Sequence, residues 1–273
     1  MGTIVVAAAA SHSPVITMMY DENDPQQARF HAAMHQIGEA FAAAKPDVII
    51  TITNEHFVNF YLDNVPAMCI GTATSYFGPV EPFLKIPQAD LPGDRALGKK
   101  LVAAALAAEF DVAYSEELRF DHGTMVPMSF VNADYSVPVV PIIVNNIYAP
   151  MPTPKRMYAF GQFLGRAIAE QFGDVRVALL ATGGLSHKVG TPDTGDLDPE
   201  FDRRFLDGLA RGEGSRLAAT LTHDELHAVG NGTHEVRNWL TVMGALGDVP
   251  GEVLAYEPIP VWVTGCGAAL WRC

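Results

Sequence analysis

With 273 residues, 49% of them apolar and 18% charged, the chain is long enough to bury a core without disulfide or metal staples and too apolar for a disordered segment. Thirty-one acidic against eighteen basic residues give a net charge of −13, which disfavours nucleic acid or an anionic membrane as partner. No apolar run approaches the ~20 residues that span a bilayer, and the N-terminus lacks the basic start of a secretory signal. The cysteines Cys69, Cys266 and Cys273 fit no metal or disulfide spacing, so a reduced cytoplasmic protein is expected.

In chain order, the apolar runs at Ile4–Val6, Val48–Ile52, Val137–Val144 and Val175–Leu180 are continuous rather than alternating, as in strands covered on both faces. Helices are predicted between them over Asp24–Ala44, Asp94–Glu109, Pro154–Phe172 and Glu235–Leu246, where apolar residues recur at spacings of three and four. A last strand is expected at Pro260–Thr264, and Gly190–Pro199 reads as a surface loop. Strands alternating with helices predict an α/β three-layer sandwich with a central mostly parallel or mixed sheet, as one domain over 1–273.

Ligands of open α/β sheets bind beyond the carboxyl ends of the strands. Three histidines, His12, His56 and His187, fall just after strand-like runs. Two imidazoles and a carboxylate, here His12, His56 and Glu235, are the donor set of the facial triad that holds Fe(II) with open positions. The same histidines would equally serve as core or capping groups satisfied by backbone hydrogen bonds. His122, in Asp121-His122-Gly123, and His187, after Gly183-Gly184, suit acid–base work if a carboxylate orients them, and otherwise read as loop histidines. Two histidine pairs at helical spacing are read as ordinary helix residues: His31 and His35 as a solvated face, and His223 and His227 as part of a short helix capped by Thr222 or Asp224.

Seven blocks in order carry a resemblance: SHSP at 11–14, NEHF at 54–57, DHG at 121–123, VPVVPIIVN at 137–145, TGGLSH at 182–187, THEVRNW at 233–239 and EPIPVWVTGCGA at 257–268. Together they resemble the class III extradiol catechol dioxygenases, the superfamily of protocatechuate 4,5-dioxygenase and 2,3-dihydroxyphenylpropionate dioxygenase. The resemblance implies Fe(II) held by His12, His56 and Glu235, His187 as general base on a bound catechol, and His122 as its acid partner. It implies a small aromatic substrate and O2 as partners, and ring opening beside the diol. An aminophenol or dihydroxypyridine substrate, a zinc hydrolase, and a non-enzymatic interaction protein are the competing readings. A homo-oligomer is expected, acting alone or with a separate small subunit. Glu55 stands where relatives often carry Asp, and Lys155 and Arg156 are either carboxylate binders or a solvated helix start.

Overall fold

The computed structural model describes residues 1–273. Strand β1 (Thr3–Ala10) leads through a single turn, α1 (Val15–Met18), into the long helix α2 (Pro25–Ala44) and then β2 (Val48–Asn54). Short elements follow: β3 (Met68–Gly71), β4 (Ser75–Gly78) and β5 (Ala89–Pro92), then α3 (Arg95–Ala107), β6 (Ala113–Ser115) and α4 (His122–Val131). The second half runs β7 (Val139–Val144), α5 (Pro154–Gln171), β8 (Arg176–Thr182), α6 (Pro199–Ala210), α7 (Gly214–Thr220) and α8 (His223–Val229). It closes with α9 (Val236–Leu246), β9 (Glu252–Ile259) and β10 (Thr264–Arg272).

Eight strands form one mixed sheet in the order β6-β3-β7-β2-β8-β1-β10-β9, with β4 and β5 paired apart from it. The centre, β7-β2-β8-β1, is parallel, whereas β10 and β9 add antiparallel at one side and β3 runs antiparallel to β7 at the other. Every residue of β2 and β7 is buried, which explains why these strands read as unbroken apolar runs. One face packs against α3, α5, α6, α7 and α9 around Trp239, Phe160 and Leu164, and the other against α2 and α4 around Phe30, Met34 and Met125. Both faces are therefore covered, giving the three layers expected.

The chain starts its helices where the sequence supplies caps. The side chains of Asp24, Asp94, Asp121, Thr153, Asp198 and Thr222 each accept backbone N–H bonds at a helix start. Two expectations need correction. Pro260–Trp262 is a 3-10 turn rather than a strand, because Pro260 offers no N–H to a ladder and Val263 turns the chain at φ +52°; the strands lie on either side of it. His31 is also no solvated residue: its Nε2 lies 2.9 Å from the Ile16 carbonyl and its ring stacks on Tyr20. No helix is long and apolar enough to cross a membrane.

Candidate active site

Because β2, β8 and β1 are adjacent and parallel, their carboxyl ends lie side by side. His56 follows β2, His187 follows β8 and His12 follows β1, so three residues remote in sequence meet at one edge of the sheet. Glu235 arrives from the 3-10 turn Thr233–Glu235 that opens α9. That helix is held to the strand ends by Trp239, whose Nε1–H donates to the Gly183 carbonyl at 3.0 Å, and by a buried amide network. In it, Asn238 Nδ2 donates to Asn54 Oδ1 at 2.7 Å and to the Thr182 carbonyl at 2.8 Å, and Asn146 Nδ2 donates to Asn54 Oδ1 at 2.9 Å. His122 begins α4 directly after its cap, Asp121.

All five residues line one cavity of about 450 Å³. Glu235 is its buried acidic centre, with Oε2 3.3 Å from His12 Nε2, and Oε1 3.7 Å from both His56 Nε2 and His187 Nε2. The imidazole nitrogens of His12, His56 and His122 all lie within 4.8 Å of one another.

The rear nitrogens are each tied. Thr182 gives its hydroxyl proton to Thr53 at 2.8 Å, so it accepts from His12 Nδ1–H at 3.0 Å. Asp121 accepts from His56 Nδ1–H at 3.0 Å, and Glu81 from His122 Nδ1–H at 2.6 Å. His187 Nδ1–H donates to the Leu185 carbonyl at 2.9 Å. A carboxylate or carbonyl only accepts, so each ring in its neutral form carries its proton on Nδ1 and presents Nε2 as a lone-pair donor. Rear-side partners of this kind orient histidines that bind metals.

The electrostatics follow from burial opposed by pairing. Burial pushes His12 down towards the neutral form, against the pull of Glu235. Burial also opposes charge on His56, but Asp121 and Glu235 outweigh it and raise the ring to about 10. For His187, burial is likewise outweighed, by Glu235 and the Leu185 carbonyl, and the net direction is upward. Burial disfavours the Glu235 carboxylate, yet His12 and His187 hold it well below the usual range. A buried carboxylate faced by several imidazoles is a place for positive charge, supplied by protons or by a metal ion that displaces them. Two imidazoles and one carboxylate form the donor set suited to Fe(II) with open positions, so the residues present fit that metal.

Two glycines are needed for this closeness. Gly183 sits at φ +150°, and a Cβ there would stand 2.7 Å from Glu235 Cβ. A Cβ on Gly232 would lie 1.9 Å from His187 Nε2. The glycines thus make room for the site's own side chains.

Glu81, Thr182 and Thr53 were not legible as site residues, since their partners lie 41, 170 and 129 positions away along the chain with no motif linking them. Glu55 does not contact His56 through its carboxylate. It accepts from the backbone N–H groups of Val58 and Asn59 and holds the loop that presents Phe57 to the cavity. Lys155 and Arg156 are not in the cavity wall; Arg156 lies over the Phe110 ring and donates to the Glu109 carbonyl.

Comparison with known proteins agrees with this architecture. An uncharacterized protein of Escherichia coli K12, known from its crystal structure, superposes with a TM-score of 0.65 at 16% identity, covering 97% of this chain and 99% of the other, which shows the shared fold. Three relatives are named 2,3-dihydroxyphenylpropionate/2,3-dihydroxicinnamic acid 1,2-dioxygenase. That of Klebsiella pneumoniae is 27% identical, covering 94% of this chain and 95% of the relative. Those of Burkholderia vietnamiensis and Rhodococcus jostii are each 28% identical, covering 94% and 96% of this chain and the same shares of theirs. The family model described as the catalytic LigB subunit of aromatic ring-opening dioxygenase matches residues 6–267. The chain therefore belongs to that family, within the class III extradiol superfamily, and is a ring-cleaving dioxygenase.

Proposed function

We propose that the chain is an Fe(II)-dependent extradiol dioxygenase, with residues 1–273 acting as one catalytic domain that opens a catecholic ring beside the diol. The observation that carries this reading is the convergence of His12 Nε2, His56 Nε2 and the Glu235 carboxylate in a cavity that also receives His122 and His187. His12, His56 and Glu235 would hold the metal. Bound Fe(II) with open positions supplies the redox partner that ground-state dioxygen needs to react with an aromatic diol.

The chain's own residues manage the protons. His187 keeps Nδ1–H on the Leu185 carbonyl, so Nε2 is the atom that accepts a catechol proton. His122 keeps Nδ1–H on Glu81, so in its imidazolium form the second proton sits on Nε2, the atom that delivers it to the opening ring. The remaining cavity wall sets Val15, Phe57, Ile147, Val189 and Val263 beside the uncharged polar residues Ser13, Asn231 and Thr264, and contains no lysine or arginine. That lining favours a catechol whose substituent is uncharged, in contrast to the propionate named for the relatives.

Anaerobic reconstitution with Fe(II), followed by air and a substrate panel, tests the reading. The panel holds 3-alkyl- and 3-arylcatechols, 2,3-dihydroxyphenylpropionate, aminophenols and dihydroxypyridines. Oxygen uptake matched one-to-one by a yellow ring-opened product, fastest with an uncharged catechol, is expected. Iron-loaded protein inert towards every catechol would contradict it, and faster turnover of the propionate would overturn the substituent preference.

A further inference from the structure

A second group of imidazoles lies outside the cavity wall. His223 and His227 stand one turn apart on α8, whose start is fixed by the Thr222 side chain accepting the Glu225 N–H at 3.1 Å. Both are exposed. The turn Thr233–Glu235 packs against this helix and brings in His234, which is fully buried. The His234 ring is 4.6 Å from that of His223 and 5.7 Å from that of His227, and one nitrogen from each of the three lies within 4.8 Å of the others.

His234 is the anomaly. Both its ring nitrogens are buried and neither has a hydrogen-bond partner, whereas every imidazole of the cavity has its rear nitrogen tied. Leaving a buried polar group unmatched is costly, so native chains rarely keep one without use. Its backbone is pinned, with the His234 carbonyl accepting from Arg237 Nη1 at 3.1 Å. The two exposed rings stack against it, at interplanar angles of 20° and 23°.

We propose that His223, His227 and His234 form a second metal site, for a divalent cation of zinc's borderline softness, distinct from the catalytic cavity. Histidines at i and i+4 on one helix are a known two-point grip for such an ion, and His234 supplies the third nitrogen from a neighbouring element. Tetrahedral Zn–N bonds of about 2.0–2.1 Å place ligand nitrogens nearer together than the rings now stand, so His223 and His227 rotate inward on binding, with water left as the fourth ligand. The ion ties α8 to the turn that carries Glu235 and so fastens the rim of the cavity from behind.

The test uses the untagged full chain, stripped by a chelator and dialysed against Zn2+, beside its His223→Ala/His227→Ala variant. Both substitutions are at exposed positions, which protects folding. The variant is expected to hold one Zn2+ fewer per chain while taking up Fe(II) in the cavity as the parent does. Zn2+ is also expected to raise the unfolding midpoint of the parent by a shift that the variant loses. Equal zinc content in the two proteins, or an equal shift in midpoint, would overturn the proposal. Neither readout depends on turnover, so the outcome is separable from the dioxygenase reading.

Discussion

The two histidine clusters of this protein differ in what stands behind the rings. In the cavity, Thr182, Asp121, Glu81 and the Leu185 carbonyl each hold one nitrogen of an imidazole, so the other nitrogen is aimed before any ligand arrives. At α8, two rings are exposed and the buried one is untied. The first arrangement is prepaid in folding and suits chemistry, where a misplaced group costs rate. The second gains its order only when an ion binds, which suits a structural clamp. Rear-side tethers, more than the count of histidines, separate the two.

The comparison can be broken most strongly at the tethered bases. His187→Ala is expected to retain iron and lose turnover by about 10²–10⁴-fold, the usual worth of a general base; turnover near that of the parent would remove its role. His122→Ala should keep iron as well, and loss of iron from that variant would move His122 into the ligand set. Gly232→Ala sharpens the point without touching a catalytic side chain. Its Cβ would occupy the space of His187 Nε2, so a drop in turnover of about 10-fold or more, with iron content unchanged, is expected from the misplaced base. Unchanged turnover would show that the ring's present position is not the working one.

Removing a tether tests the other half. Asp121→Asn should weaken Fe(II) binding by about 10–100-fold, the range found for partners behind metal-bound histidines. Titration of the metal-free chain with Fe(II) measures it, and equal affinity would make the tether incidental.

The smallest effect concerns stability. Asp202, buried beneath Ser186 and Tyr256, is pushed up to about 6 by burial, against the donors that favour its charge. Its folded value lies above the ordinary carboxylate value, so the folded state binds the extra proton between about pH 4 and 6. The contribution of Asp202 to stability is thus greatest below that window and falls as pH rises through it, by up to about 3 kcal/mol. Thermal unfolding from pH 4 to 7 should show this slope in the parent and lose it in Asp202→Asn; identical slopes would contradict the assignment.

Much of this was legible in the chain because the central strands are buried on both faces and so announce themselves as apolar runs, three of which, β1, β2 and β8, lead into a histidine. The sheet's margins were not. Strands β3 and β6 are four and three residues long, β9 is half-exposed, and β10 opens on a run, Gly265 to Ala269, rich in glycine and alanine, which have little strand preference. The blocks carrying His12, His56 and Glu235 could be placed together through family resemblance, but Glu81 and the Thr182–Thr53 pair acquire meaning only when the fold closes. His234 shows the same limit from another side. It sits beside Glu235 in the sequence yet faces a different cluster, and nothing in its local pattern joins it to His223 and His227.

The most direct test of the central claim is the iron bound per chain in Glu235→Ala after anaerobic loading. The carboxylate is the shared neighbour of His12, His56 and His187, so its loss is expected to leave the folded protein with almost no iron. A folded Glu235→Ala protein that still binds one iron per chain as tightly as the parent would contradict the assignment of His12, His56 and Glu235 as the metal-holding set.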